Sequence, residues 1–150
     1  MFKKLFPILM ICVFTTGAAA NEKEAIRQVV LDYIESQHVP NPDRMDKALH
    51  NKMKKRTYWA RSNTEEFLLE TSRDTMLDVA RTYNQKGNRF PTEPRKDIQI
   101  FDIDGRTASV KLTADEWIDY MHLMKLETGE WKIVNVLWQY HDQSKHRSGQ

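Results

Sequence analysis

The sequence predicts one α+β domain, in which helices pack on one face of a curved antiparallel sheet. Apolar residues recur at three- and four-residue spacing in the first part of the chain, whereas strand patterns fill residues 96–140. The length of 150 residues is enough for one domain with a packed core. Because the helical and strand patterns are largely segregated and the strands are antiparallel, an α+β architecture is expected.

Three helices follow from the apolar periodicity and from its interruptions. The first carries one apolar stripe and ends before Pro40, because proline lacks the backbone donor and disfavours helix in the residue before it. Pro42 or Asp43 opens a short second helix, and Thr71 or Ser72 is a good N-cap for the third. The predicted helices are 24–37, 42–49 and 73–84.

Six strands are predicted in the remaining segments. Asp104-Gly105 and Thr128-Gly129 are typical of tight hairpin turns, since glycine readily adopts positive φ. The predicted strands are 52–59, 65–70, 96–103, 106–113, 115–127 and 131–140. The first of them holds a basic run, which indicates either a solvated edge strand or an anion-facing patch, and we favour the edge strand. The basic residues are Lys52, Lys54, Lys55 and Arg56.

The last hairpin is apolar on both of its faces if Glu127 lies opposite Glu130. One face then carries the pairs Tyr120–Leu137, His122–Asn135, Met124–Ile133 and Leu126–Trp131. The other carries Trp117, Asp119, Met121, Leu123, Val134, Val136, Trp138 and Tyr140. A sheet with one solvated face is apolar on one side only. We therefore expect one face to cover helices or a cavity and the other to contact a partner subunit.

Residues 1–20 have the pattern of a signal peptide. Lys3 and Lys4 precede an apolar stretch of about ten residues, which is about half of the length that spans a membrane. Small residues at positions 17–20 predict cleavage before Asn21. A periplasmic or secreted protein with no stable membrane anchor is expected, and an uncleaved N-terminal anchor is the alternative.

Signal removal would leave 21 basic and 21 acidic residues, so no excess charge favours nucleic acid as a partner. Cys12 would leave with the signal peptide, which excludes disulfides and thiol nucleophiles from the mature chain. The sequence holds no histidine pair at metal-ligand spacing, no glycine-rich phosphate loop and no Gly-x-Ser-x-Gly motif. No cofactor and no metal are therefore expected.

Several segments resemble the putative lumazine-binding family of the nuclear transport factor 2-like (SnoaL-like, cystatin-like) superfamily. Residues 119–126 (DYMHLMKL) and 129–138 (GEWKIVNVLW) resemble its terminal hairpin. Residues 44–50 (RMDKALH) resemble its early helix with a final histidine, and residues 102–110 (DIDGRTASV) resemble its first long hairpin. The resemblance covers about residues 24–140.

The resemblance implies a cone-shaped roll, in which a curved antiparallel sheet packs on three N-terminal helices and encloses a pocket. It also implies a domain at residues 21–141, a small apolar or aromatic ligand and a homodimer formed through the sheet. Residues 142–150 are polar and are expected to form a disordered tail. The superfamily includes polyketide cyclases and ketosteroid isomerase as well as non-enzymatic binders, so the fold alone does not fix the activity.

The candidate site residues come from chemistry that suits a pocket. His122 can act as an acid or base near neutral pH, while Tyr120 and Asn135 can donate hydrogen bonds to a ligand oxygen. A structural hydrogen bond between His122 and Asn135 is the alternative. Asp119 and Asp102 are candidate bases, and Asp119 would need burial to raise its pKa.

His50 follows the second helix and could lie over the mouth of the cone. Trp59 could stack on a flat ligand, although tryptophans more often fill a core or an interface. The candidate ligand-binding residues are His50, Trp59, Tyr120, His122 and Asn135, and the candidate catalytic residues are His122, Tyr120 and Asp119.

Three functions remain open at this point. The leading one is a small-molecule-binding domain with an apolar pocket. The second is a cofactor-free isomerase, cyclase or dehydratase that uses a pocket Asp or His as its general base, and the third is a non-catalytic dimerisation or interaction module.

Overall fold

The computed structural model describes residues 16–147. Residues 1–15, which hold most of the predicted signal peptide, and residues 148–150 lie outside the described residues. Within the described range, no helix is long and apolar enough to cross a membrane. The helices are α1 (Thr16–His38), α2 (Pro42–Ala48) and α3 (Arg73–Thr82). The strands are β1 (Leu49–Ala60), β2 (Glu66–Ser72), β3 (Lys96–Asp104), β4 (Thr107–Ala114), β5 (Trp117–Lys125) and β6 (Trp131–Tyr140).

Local sequence signals place the ends of two helices. Asn41 caps α2, because its side-chain oxygen accepts the N–H of Arg44 at 3.0 Å. Ser72 caps α3 in the same way, with its hydroxyl accepting the N–H of Thr75 at 3.2 Å. The prediction of Ser72 as an N-cap is therefore confirmed, whereas α1 begins well before the predicted start at Glu24.

The six strands form one mixed sheet in the order β2-β1-β6-β5-β4-β3. All neighbours are antiparallel except β1 and β6, which run parallel. The α+β fold with helices on one face of the sheet is confirmed. The interpretation of β1 as an edge strand is wrong, since β2 and β6 pair with its two sides.

The register of the last hairpin follows the prediction for half of its length. Tyr120 lies opposite Leu137 and His122 opposite Asn135, as predicted. Beyond His122 a bulge shifts the pairing, so Leu123 lies opposite Ile133 and Val134 is the additional residue. The predicted pairs Met124–Ile133 and Leu126–Trp131 are wrong, because the bulge turns Ile133 and Trp131 into the core.

The core lies between the three helices and the inner face of the sheet. Fully buried residues from α1, α2 and the long strands form one apolar cluster, so the helices line the inside of a cone. Its central members are Ile26, Val30, Ile34, Met45, Leu112, Ala114 and Ile133. This cluster holds the strands and α1 in fixed positions around the polar side chains described next.

The C-terminal segment differs from the expected disordered tail. After β6, Gln143–Lys145 forms a short 3-10 turn that Asp142 caps, and His146 behind it is only 2% exposed. The backbone oxygen of His146 accepts the N–H of Ala60 at 2.8 Å, which fixes the segment to the end of β1. The polar composition predicts that this segment is exposed and disordered. The buried ring of His146 and its backbone bond to Ala60 instead anchor residues 142–147 to the domain.

Candidate functional site

The interior of the cone holds a cluster of ionisable side chains. Lys55 is 7% exposed, and both Asp119 and Tyr33 are fully buried. The ammonium of Lys55 donates to Oδ1 of Asp119 at 2.8 Å and to the hydroxyl of Tyr33 at 2.7 Å. We refer to these three residues as the Lys55 cluster.

Strand alternation places two members of the Lys55 cluster inside the cone. On β1, Met53, Lys55 and Thr57 are buried while Lys54 and Arg56 lie on the other face. On β5, the buried positions are Trp117, Asp119, Met121 and Leu123. Tyr33 belongs to the apolar stripe of α1, which faces the sheet.

Both carboxylate oxygens of Asp119 are held by donors. Oδ1 accepts from Lys55, and Oδ2 accepts the indole N–H of Trp117 at 2.9 Å. A buried carboxylate is tolerated when its charge is paired and its oxygens are hydrogen-bonded. The pair therefore adds no net charge to the interior, and each oxygen of Asp119 accepts one hydrogen bond in this arrangement.

Aromatic rings surround the ammonium of Lys55. Its nitrogen lies 4.9 Å from the ring centre of Trp138, 5.4 Å from that of Tyr33 and 5.9 Å from that of Trp117. These distances are within the range of cation–π attraction. An ammonium has three N–H donors, and protein partners take two of them here.

The Tyr33 phenol is neutral over the ordinary pH range. Burial raises its pKa well above the usual value, and the negative charge of Asp119 raises it further. Because the phenol is neutral and the Lys55–Asp119 pair is balanced, the whole cluster carries no net charge.

A pocket of about 160 Å³ opens beside the Lys55 cluster. Its walls come from α1, α3 and four strands, and most of them are apolar or aromatic. The lining residues are Gln37, Lys55, Thr71, Met76, Val79, Tyr83, Trp117, Trp138 and Tyr140. An engineered apolar cavity of about 150 Å³ holds a benzene molecule, so this pocket has room for a small ring.

Larger cavities in the described structure lie outside the cone. One of about 670 Å³ is a groove between the end of α1 and the loop before β3, bordered by His38, Phe90 and Lys96 among others. Another of about 370 Å³ is a depression on the outer face of the sheet, bordered by Asp102, Ser109 and His122. The smaller interior pocket is the candidate site because Lys55, one member of a buried charge pair, lines it among aromatic walls.

The residues that the sequence singles out are divided between the two faces of the sheet. Asp119 lies inside the cone, whereas Tyr120, which is 43% exposed, and His122 lie on the outer face. Asn135 contacts Nδ1 of His122 at 3.2 Å and accepts from Arg56 at 3.1 Å. The structure thus brings Asn135 and His122 together, away from the interior pocket.

The two remaining candidates lie elsewhere. His50, at the start of β1, accepts the backbone N–H of Lys52 through Nδ1 at 3.2 Å. Trp59, near the end of β1, lies with its ring centre 5.8 Å from that of His146. Neither residue lines the interior pocket.

Sequence reasoning missed Lys55 and Tyr33 as members of a site. Lys55 belongs to a basic run, and Tyr33 belongs to a helical apolar stripe, so each has an ordinary explanation. The available signal was the alternation of β1, which puts Lys55 on the same face as Met53 and Thr57. No group of three or more His, Cys, Asp or Glu residues in the described range is arranged to hold a metal ion.

Comparison with solved structures identifies the fold. An NTF-2 like protein of unknown function from Silicibacter pomeroyi DSS-3 matches with a TM-score of 0.61 at 16% identity, over 82% of this chain and 98% of that one. An NTF2-like protein of unknown function from Shewanella baltica OS155 gives a TM-score of 0.61 at 22% identity, over 81% and 95%. A putative ketosteroid isomerase from Shewanella frigidimarina NCIMB 400 gives 0.50 at 16% identity, over 77% and 94%.

At these identities the likeness shows the fold alone. No curated protein matches the chain. The family described as putative lumazine-binding matches residues 21–139, which is most of the chain, and its description supports a small-molecule-binding domain. The chain therefore belongs to the putative lumazine-binding family and has the NTF2-like fold.

Proposed function

We propose that this domain binds a small, neutral, flat ring compound in the interior pocket and that a hydrogen-bond acceptor on the ligand contacts Lys55. The observation that carries the proposal is Lys55, which lines the pocket and whose ammonium has two of its three donors engaged. A carbonyl or ring-nitrogen acceptor suits the third donor.

The balanced charge of the Lys55 cluster favours a neutral ligand. An anion would bring a negative charge into an interior where Asp119 already neutralises Lys55. Burying an uncompensated charge is costly, while a carbonyl oxygen gains a charge-assisted hydrogen bond without that cost. The ligand class is therefore a ring carbonyl compound and not a carboxylate or phosphate.

The size and walls of the pocket favour a ring. Its volume of about 160 Å³ is below the range of roughly 300–1,000 Å³ that holds drug-sized ligands. Trp117 and Trp138 both lie beside the ammonium and border the pocket. Flat aromatic walls pack most closely on flat ligands.

The geometry gives less support to the catalytic alternative. A general base must reach the substrate, but Asp119 does not line the pocket and each of its oxygens already accepts a hydrogen bond. His122 lies on the outer face of the sheet and is bonded to Asn135. Ligand binding without catalysis requires no rearrangement of the hydrogen bonds within the Lys55 cluster.

Calorimetric titration with lumazine and with uracil, its single-ring dione fragment, tests the proposal, and benzoate serves as the anionic ring. The informative variant combines Lys55→Met with Asp119→Asn, which removes the donor without leaving a buried carboxylate unpaired. The matched control combines Lys54→Met with Glu70→Gln, because Lys54 and Glu70 form an exposed pair at 2.7 Å.

We expect at least one of the two diones to bind the wild-type chain and the Lys54 control equally. Its affinity should fall by about tenfold or more in the Lys55 variant, since a hydrogen bond to a charged group contributes roughly 1.5–3 kcal/mol. Benzoate should bind more weakly than the dione. Tighter benzoate binding, equal losses in both variants, or failure of both diones to bind would contradict the proposal.

We propose further that the protein is exported and that residues 1–20 are removed. The support is the basic start and the short apolar stretch before the small residues at 17–20. Protein recovered from the extracytoplasmic fraction should have an intact mass that corresponds to a start at Asn21. A chain that keeps residues 1–20 in that fraction would contradict the cleavage.

We also propose that two copies associate through the outer face of the sheet. The support is an exposed apolar group that extends from the central strands to the β3 edge, with Leu137 53% exposed and the ring of Phe101 stacked on that of Tyr120 at 6.3 Å. Exposed apolar groups on a sheet face are typical of protein interfaces. Association through this surface leaves the interior pocket free for a ligand.

A further inference from the structure

The buried histidine after β6 has a defined protonation state. Nε2 of His146 accepts the backbone N–H of Tyr140 at 2.8 Å, so this nitrogen carries no proton. Nδ1 carries the proton of the neutral ring and lies 3.4 Å from the hydroxyl oxygen of Thr57. His146 is therefore bound as a neutral imidazole.

Aromatic rings enclose His146. Tyr58 lies closest, with ring centres 4.3 Å apart, and the ring of Tyr140 lies at 5.1 Å and that of Trp138 at 5.4 Å. The backbone oxygen of His146 holds the N–H of Ala60, and Arg147 forms a parallel bridge with Ala60. We call residues 142–147 the C-terminal latch, because they attach the end of the described chain to Ala60 of β1. His146 is the one buried side chain in this segment.

The latch and the interior pocket share two walls. Trp138 and Tyr140 border the pocket, and both rings also pack on His146. Movement of His146 would therefore change the positions of Trp138 and Tyr140, and with them the shape of the pocket.

Few charged groups accompany His146. From β1 it meets the Tyr58 phenol, the Trp59 ring and the Thr57 hydroxyl, and from β6 the Trp138 ring and the Tyr140 phenol. Within the latch, Asp142 is bonded to Ser144, and Lys145 is paired with Glu116 at 3.3 Å. Arg147 is exposed. Among these described neighbours, no carboxylate pairs with the imidazole.

We propose that the C-terminal latch is a pH-sensitive control on the pocket: neutral His146 closes the latch and fixes Trp138 and Tyr140, and protonation of His146 releases it and weakens ligand binding. Protonation at Nε2 would set two N–H groups against each other and would place a charge among aromatic walls. This regulation rests on the proposed function for its ligand, but the opening of the latch does not.

The balance of forces favours release at acid pH. Cation–π contacts and the backbone of Tyr58 favour an imidazolium, whereas burial of an unpaired charge disfavours it more strongly and the bond to Tyr140 is lost. In agreement, burial lowers the pKa of His146 below its usual value. The closed latch therefore binds fewer protons than the open one. Its free energy relative to the open latch is most favourable above about pH 6.5, and this advantage is lost as the pH falls through the lowered pKa of His146.

Amide hydrogen exchange tests the latch without any ligand. The Ala60 N–H is the reporter, since its partner is the backbone oxygen of His146, and protection is corrected for the intrinsic pH dependence of exchange. The informative variant is His146→Gln, whose side-chain oxygen can accept from Tyr140 but does not titrate. The matched control is His141→Gln, because His141 is exposed and lies outside the aromatic enclosure.

In the wild-type chain and in the His141 control, protection of Ala60 should fall by up to about tenfold per pH unit below pH 6.5. In His146→Gln it should stay constant or, if the amide fits poorly, be low at every pH. Unchanged wild-type protection between pH 7.5 and 5, or an equal fall in His146→Gln, would overturn the proposal.

Titration of the wild-type imidazole by nuclear magnetic resonance is independent of any variant. A pKa of His146 at or above 6.5 would also overturn the proposal. A dione that binds the wild-type chain should lose affinity in parallel with Ala60 protection. If no dione binds while protection still falls, the latch stands and the proposed ligand class fails.

Discussion

At the scale of single residues, the Lys55 cluster explains how a fully buried carboxylate is tolerated. Lys55 and the indole of Trp117 each hold one oxygen of Asp119, so the desolvated charge is paired and hydrogen-bonded. Tyr33 contributes a neutral hydroxyl that accepts from the same ammonium. The three groups form one unit whose parts cannot be changed independently.

The raised pKa of Tyr33 has a measurable consequence at alkaline pH. Tyr33→Phe should lower the free energy of unfolding by about 1–3 kcal/mol at pH 8, because Lys55 loses an acceptor. A raised pKa in the folded state means that the stabilisation is complete below about pH 10 and is lost as the pH rises further. The gap between wild type and variant should therefore narrow above pH 10, as measured by urea unfolding.

Tyr120→Phe is the control for this prediction, since Tyr120 is an exposed phenol on the outer face. A gap for Tyr33→Phe that stays constant from pH 8 to pH 11 would contradict the assignment of Tyr33 to a buried, charge-coupled position.

At the scale of elements, the bulge in β6 decides which side chains enter the core. A residue inserted at Val134 reverses the facing of the preceding positions, so Trp131 and Ile133 become buried although the simple hairpin register puts them on the other face. The pairing of Glu127 with Glu130 therefore predicts the wrong register between the turn and the bulge and the right register beyond the bulge, and a bulge leaves no clear signal in the residue types.

Helix α3 forms one wall of the pocket through Met76 and Val79, together with Tyr83 at its C-cap. Its start depends on Ser72, whose hydroxyl caps the N–H of Thr75. Ser72→Ala should lower the free energy of unfolding by about 1 kcal/mol, because the first turn loses an acceptor. Ser72→Asp should restore it, since a carboxylate both caps the helix and interacts favourably with its N-terminus.

Chemical unfolding of the two variants and the wild type measures the contribution of the cap to the free energy of unfolding. Titration of each variant with a dione reports whether α3 still forms the pocket wall. Equal stability of Ser72→Ala and the wild type would show that packing alone fixes the start of α3.

At the scale of the whole molecule, the sheet separates two surfaces with different tasks. Its inner face packs on the helices and holds the pocket, and its outer face exposes Leu137, Tyr120 and Phe101. The sequence predicts this two-sided character from the last hairpin alone. It does not tell whether His122 lies on the inner or the outer face of the sheet. Alternation assigns residues to two faces but does not show which of them the helices cover.

The outer face gives the prediction for assembly. Leu137→Lys places a charge in the centre of the proposed interface, so native mass spectrometry should change from two chains to one. Val39→Lys is the matched control, because Val39 is 71% exposed at the end of α1, away from the sheet, and the mass should stay that of two chains. A wild-type protein that is a single chain at micromolar concentration would contradict the proposed dimer.

The sequence by itself determined the elements and their order. Apolar periodicity, prolines, N-caps and hairpin glycines act within a few residues of chain, so they predicted three helices and six strands, and the likeness of short segments to a known family predicted the fold. The hydrogen bond between His122 and Asn135 was also within reach, since it depends only on local hairpin pairing.

The tertiary structure alone decided the site. Tyr33, Lys55 and Asp119 are far apart in the chain, and they meet only because β1 pairs in parallel with β6 beneath α1. The same holds for His146, whose enclosure by rings of β1 and β6 turns a polar tail into an anchored segment. Long-range packing determines burial, and burial decides whether a lysine, a tyrosine or a histidine is an ordinary surface group or part of a site.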